Sequence, residues 1–225
     1  MYDITHPADG GMFYKETNLH HFFPEPWNMV TSILFLVPGI YWLIKLKGFS
    51  RQYAFLSSAN WLMLIGCIGG SIYHGLRRWR VFLFMDWVPI ALLCLMASIY
   101  FWIKLTGKWF YGLIAFVVFL AIEGGTRFLI SGTTNIQLAI SLNYSVMVLM
   151  ILLPLILLLI KTRWENWQTV ALALTSFVIA ISFRVYDHLT TLSIGTHFLW
   201  HAFGVIATAL MFRYLYRLTN SARTR

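Results

Sequence analysis

Almost the whole chain is a succession of apolar stretches about 20 residues long, the length a helix needs to cross a bilayer. On that length the spans fall near 28–46, 53–75, 81–104, 108–130, 136–160, 166–188 and 196–217. Short polar or basic breaks separate them: Lys45-Leu-Lys-Gly-Phe-Ser-Arg51, Arg77-Arg-Trp-Arg80, Thr106-Gly-Lys108, Ser131-Gly-Thr-Thr-Asn135, Lys161-Thr-Arg-Trp-Glu165, and the stretch from Leu189 to Gly195. Connections this short make successive helices antiparallel neighbours. The expected fold is all-α: an integral membrane seven-transmembrane helix bundle. It forms a single domain over 1–225, with 1–27 a polar N-terminal segment. No internal repeat, low-complexity stretch or second domain is visible.

Composition excludes the soluble alternatives. Of 225 residues, 59% are hydrophobic and 11% charged, more apolar surface than a soluble domain of this size can bury. A net charge of +9 would elsewhere suggest nucleic acid. Here the basic residues flank apolar spans, where they anchor helix ends at lipid headgroups, and no nucleic-acid partner is expected. Cys67 and Cys94 lie inside apolar runs and read as small core residues rather than a disulfide framework. The first 27 residues lack the basic start and apolar run of a cleaved signal peptide.

Seven spans put the termini on opposite sides. Lys45, Lys47, Arg51, Lys104, Lys108, Lys161, Arg163, Arg213, Arg217, Arg223 and Arg225 fall on the C-terminal side, against Lys15, Arg77, Arg78 and Arg80 on the other, with Arg127 and Arg184 at or within helix ends there. The positive-inside rule therefore places the N terminus outside or lumenal and the C terminus in the cytosol. The Arg77–Arg80 cluster runs against the trend and reads as ordinary interfacial anchoring or as an anchor for an anionic lipid or headgroup phosphate.

Polar residues within the spans are few and gathered. His197 and His201 stand in Thr-His-Phe-Leu-Trp-His at the start of the seventh span; Ser71-Ile-Tyr-His74 ends the second, and Asp86 follows Arg80 by six residues in the third. At helical rise Asp86 lies about 9 Å in, and His201 about 6 Å deeper than His197. The topology thus assigns all five to one layer in the outer leaflet. Ser71 and His74 are i,i+3 and His197 and His201 i,i+4, so each pair shares a face. Intramembrane ionisable groups are costly and mark sites. Three neutral imidazoles can hold Zn²⁺ with a fourth position open, where a bound water has its pKa lowered to about 7. Asp86 can then move protons between that water and a leaving group, and the Ser71 hydroxyl can donate to a developing oxyanion. Hydrolysis of an amide or ester in a lipid fits this set.

Ser71-x-x-His74, Met85-Asp86 and Gly195-Thr-His-Phe-Leu-Trp-His201 resemble the signature of the alkaline ceramidase family. That family lies within a wider group of seven-helix membrane hydrolases that includes the adiponectin-receptor-like proteins. Glu16-x-Asn18 and Glu25-Pro-Trp-Asn28 are closer to the ceramidase branch. The likeness runs from about Glu16 to the seventh span. It implies a zinc amidase that cleaves the N-acyl bond of ceramide to a sphingoid base and a fatty acid. Zinc would sit on His74, His197 and His201, with Asp86 and Ser71 supporting catalysis and a membrane lipid as substrate. One departure is that the family's serine commonly precedes its histidine by four residues. Gly70 stands there, and Ser71 is three before His74.

Glu16, Asn18, Glu25 and Asn28 offer hard oxygens suited to a second metal, Ca²⁺, as in eukaryotic members that the segment resembles. Those members carry a further acid just upstream, where Phe13 and Tyr14 stand here; Asp3 and Asp9 are alternatives. Helix-end chemistry is the other reading, with Glu25 and Pro26 in the first turn of the first span. Glu123 and Arg127, four apart, are expected to pair. Asp187 is expected to orient a metal-bound imidazole or to pair with Arg184. His188 is a further possible ligand, and His20 and His21 flank the mouth. Two other classes remain: a receptor or lipid-binding protein with a structural zinc, and a haem protein using two of the histidines.

Overall fold

The structure, a computed structural model, describes residues 7–130 and 136–221. Among the described residues it is all-helical, without strands. In chain order the α-helices are α1 (Pro26–Ile33), α2 (Leu36–Lys45), α3 (Ala54–Leu76), α4 (Arg80–Thr106), α5 (Phe110–Ile130), α6 (Ile136–Lys161), α7 (Trp167–Val185) and α8 (His197–Ser221). Single 3-10 turns precede α3 and follow α7. Helices are the open-ended solution for a chain in lipid, because each backbone N–H and C=O is satisfied within its own segment.

Five stretches among the described residues are long and apolar enough to cross a membrane: Pro26–Lys45, Arg51–Leu76, Arg80–Thr106, Trp167–Val185 and His197–Ser221. In α5 and α6 the apolar described stretches are shorter, Phe110–Ile122 and Val148–Lys161. Among the described residues the stretches of spanning length and composition thus number five, where seven spans are expected. The Ser131–Asn135 break lies outside the described residues, as do the side chains of Glu123 and Arg127 and the whole of Asp3. Large apolar side chains such as Val37, Ile44 and Ile68 are exposed, the surface an integral membrane protein turns to lipid.

The expected first span is two helices. Pro38 has no N–H to give the Leu34 carbonyl, which instead accepts from Val37 N–H at 3.0 Å. The chain steps between α1 and α2 at Leu34 and Phe35. Thr31 and Ser32, at the end of α1 just before this break, meet His201 of α8.

The chain forms two compact units: residues up to Ile90 together with those from Asn166 onward, and Ala91–Glu165. In the first, α7 packs along α8, α1 lies against α3 and α8, and α2 against α3. Close approach to α4 depends on Gly69 of α3, where any Cβ would overlap the Met85 carbonyl oxygen. Pro89 is the reason that carbonyl is free to face a neighbour, since proline cannot donate to the residue four before it. In the second unit α5 packs on α6, Ser98 Oγ donates to Met150 O at 2.9 Å, and Lys161 Nζ to Leu105 O at 2.5 Å.

The N-terminal segment is built into the first unit. Asp9 and Glu25 are fully buried, and Tyr14 nearly so. Lys15 N–H donates to Asp187 Oδ2 at 2.8 Å, and its Nζ bonds Thr190 O.

Candidate metal centre

His74 lies in the last turn of α3, His197 opens α8 and His201 stands one turn further on. Their rings converge, with centroids 5.4 Å apart for His74–His197, 5.0 Å for His74–His201 and 4.9 Å for His197–His201. One nitrogen from each lies within 4.8 Å of the others, and all three side chains are buried. That is close enough for one metal ion, and the ligand type is compatible with zinc. Among the described residues no other such group of histidine, cysteine or carboxylate ligands occurs.

Hydrogen bonds settle two of the tautomers. His74 Nδ1 bonds Glu25 Oε2 at 2.5 Å, and a carboxylate only accepts, so Nδ1 carries the proton. His201 Nδ1 meets Thr31 Oγ1 at 3.0 Å and Ser32 Oγ at 3.4 Å. Each hydroxyl has one proton and already spends it on a helix carbonyl, Thr31 on Trp27 O at 2.7 Å and Ser32 on Asn28 O at 2.9 Å. With both protons on those carbonyls, His201 Nδ1 is the donor of the pair contact. Both rings keep an Nε2 lone pair, the form that binds a metal.

Orphaned atoms test the fit. His74 Nε2 and His197 Nδ1 are buried with no hydrogen-bond partner. Leaving such a group unsatisfied costs about 1–3 kcal/mol, and a metal ion among three imidazoles removes that cost. His197 is fixed otherwise, its ring stacked on Tyr14 with centroids 3.8 Å apart.

Asp187 sets the start of α8. Its Oδ1 accepts from Thr196 N–H at 2.6 Å and His197 N–H at 2.9 Å, satisfying donors that a helix start leaves open. Gly195, at φ 69°, makes this possible, because a side chain there would run into the Asp187 carboxylate. The expected bond from Asp187 to a metal-bound imidazole is thus corrected: it holds the backbone that carries His197. Glu25, expected among calcium ligands, holds the His74 imidazole.

Asp86 reaches α3 one turn from His74. A Cβ on Gly70 would come within 2.7 Å of Asp86 Oδ1 and 3.4 Å of Ser32 Oγ, so the missing side chain makes room for both groups. Gly70 and His74 are i,i+4, on one face of α3. Ser71, the expected oxyanion donor, gives its proton to Cys67 O at 2.9 Å, a bond along its own helix.

The remaining expected oxygens are engaged within the chain. Glu16 caps α1, accepting from Trp27 N–H at 2.5 Å and Asn28 N–H at 3.0 Å. Half-burial raises its pKa above the usual carboxylate value despite these two donors. Asn18 accepts from His20 N–H at 3.1 Å, and its amide meets His21 Nε2 at 3.1 Å. Asn28 Nδ2 donates to Glu25 Oε2 at 3.4 Å, and Asn28 Oδ1 is buried without a partner. Glu25 also accepts from Thr17 Oγ1 at 2.6 Å and from Arg77. Burial works to raise its pKa, but the His74 bond, the Arg77 charge and the Thr17 bond prevail and hold it below the usual value.

Arg77, expected at the membrane interface, is instead buried, with Nε 2.7 Å from Asp9 Oδ2 and Nη1 on Glu25 Oε1. Arg78 and Arg80 of the same cluster are exposed.

No protein-family model matches the chain, and no curated protein matches its sequence.

Proposed function

We propose that this protein is a zinc-dependent intramembrane amide hydrolase acting on ceramide-like lipids, releasing a sphingoid base or related amine and a fatty acid. The observation that carries the reading is the buried three-histidine cluster with two nitrogens left unpartnered. A zinc ion held by His74, His197 and His201 would supply a Lewis acid and lower the pKa of a bound water to about 7.

The chain's own groups would do the rest. Glu25 and the Thr31–Ser32 pair keep His74 and His201 in the tautomers that point Nε2 at the centre. Asp86, beside Gly70, takes one proton from the attacking water as the new C–O bond forms. It returns that proton to the amide nitrogen as the C–N bond breaks, leaving acid and amine. Ser71 lies on the same helix and would have to leave its bond to Cys67 O to help an oxyanion. Calcium at Glu16, Asn18, Glu25 and Asn28 would likewise have to displace bonds already made.

In this reading α1 with α2 is one span, and α3 to α8 are six more, giving seven. The N terminus is outside or lumenal, the C terminus cytosolic, and the centre lies in the outer leaflet. The basic residues that cluster on the C-terminal side support that orientation.

The test is fatty-acid release from a panel of ceramides by purified wild type and His197→Ala. Release by wild type and loss in the variant is the expected result. Zinc bound to wild type without release from any N-acyl lipid would overturn the hydrolase reading in favour of a receptor or binder.

A further inference from the structure

Arg77 ends α3 in a left-handed conformation, φ 48°, where glycine or asparagine is usual. A non-glycine residue there is strained and persists only where its surroundings impose it. The surroundings are specific. The guanidinium takes Asp9 with Nε at 2.7 Å and Nη2 at 3.2 Å, Met12 O with Nη2 at 2.9 Å, and Glu25 Oε1 with Nη1. It lies 4.6 Å from the Tyr73 ring centroid. Asp9, Glu25 and His74 are fully buried and Arg77 is 2% exposed, so no solvent screens these charges. Glu25 then passes the contact on to His74 Nδ1 at 2.5 Å.

Two buried carboxylates facing one cation from a loop and a helix end are the arrangement a divalent ion usually holds together. Here the cation is covalently part of the chain. Its planar fork fixes direction as well as charge, which a point charge would not. Without it, Asp9 and Glu25 would be two uncompensated anions, and Glu25 would lose the partner that aims its second oxygen at His74.

We propose that Arg77 is the resident cation of the N-terminal segment, a positioning residue whose guanidinium clamps Asp9 and Glu25 and so orients His74 for metal without a second metal ion. The proposal rests on the metal reading of the three-histidine centre. It makes zinc binding insensitive to calcium and dependent on a side chain that touches neither metal nor substrate.

Two readouts on the full-length protein in detergent test it. The first is zinc affinity by competition with a chromophoric chelator, with and without added calcium at about 1 mM, the weak end of calcium sites. The second is hydrogen exchange of residues 9–25 in metal-stripped protein. Wild type should show the same zinc affinity in both buffers. Arg77→Gln should weaken zinc binding roughly 10–100-fold, as loss of an outer partner of a ligating histidine does, and speed exchange in the segment. Arg77→Lys should recover the affinity only in part, since it restores the charge without the fork.

Calcium tightening of zinc binding in wild type, or an Arg77→Gln affinity within about twofold of wild type, would overturn the proposal. If Arg77→Gln does not fold, Glu25→Gln carries the same affinity prediction. If wild type takes up no zinc, the metal reading itself fails. The clamp is then judged on exchange alone, and equal exchange in wild type and Arg77→Gln would refute it.

Discussion

Gly69→Ala and Gly124→Ala make the same chemical change in two helices, and the structure gives them opposite signs. At Gly69 the new methyl would overlap the Met85 carbonyl and come within 2.9 Å of Met85 Cβ. The obstacle is mostly backbone, so no rotamer change relieves it, and the 85–89 stretch of α4 must withdraw from α3 by about 1 Å. Overpacking of this kind costs about 1–3 kcal/mol, and the upper end applies where backbone blocks the space. At Gly124 no atom of the described residues lies within 4 Å, so alanine adds only helix propensity, about 0.5–1 kcal/mol of stabilisation. For a chain of this size 1 kcal/mol corresponds to roughly 2–4 °C in Tm. Thermal unfolding of the detergent-solubilised protein by far-UV circular dichroism should therefore show Gly69→Ala about 6–12 °C below wild type and Gly124→Ala slightly above it. Asp86 follows Met85, so the same displacement moves the proposed proton carrier and should cost about 10²-fold in turnover. Equal stability of the two variants would refute the close α3–α4 approach from which this sign difference derives.

Three further outcomes follow from the site. Asp86→Asn should lower turnover by about 10²–10⁴-fold while zinc content stays intact, whereas Ser71→Ala, whose proton is already spent on Cys67 O, should cost less than about tenfold. Asp187→Ala removes the acceptor of three backbone N–H groups and should destabilise by about 2–4 kcal/mol in chemical unfolding, with Asp187→Asn intermediate and zinc affinity falling alongside through His197. Glu16 has its pKa raised in the folded protein above 4.5, so the folded state holds its proton more tightly than the unfolded one. Its contribution is complete below the unfolded value and fades as pH rises through the raised one; stability against pH should fall across that window in wild type and stay flatter in Glu16→Gln.

The bulk of the helical pattern was legible because each span is a local statement about some 20 residues of sequence. The histidine trio was legible for a related reason: helical spacing puts His197 and His201 on one face, and alternating spans bring the end of α3 and the start of α8 to the same level. The bend between α1 and α2 was hidden because Leu34 and Phe35 are as apolar as their neighbours, and Pro38 reads as tolerable within a span. Partners brought together by folding left no periodic trace. Arg77 sits in a basic cluster and reads as a headgroup anchor until Asp9, 68 residues away, and Glu25, 52 residues away, are seen around it. Glu25 reads as a calcium oxygen or a helix-start acid until its bond to His74 is seen, and Asp187 as an imidazole's partner until the backbone of α8 is found on it. A left-handed arginine was the one clue to Arg77, and backbone conformation is not written in residue type.

The measurement to make first is metal content per chain with X-ray absorption on the bound metal, on wild-type protein purified without added zinc chelators. One zinc per chain with three nitrogen neighbours at about 2.0–2.1 Å is the predicted result, and His197→Ala should lose it. No zinc, or zinc with a sulfur or all-oxygen shell, would contradict a centre built from His74, His197 and His201.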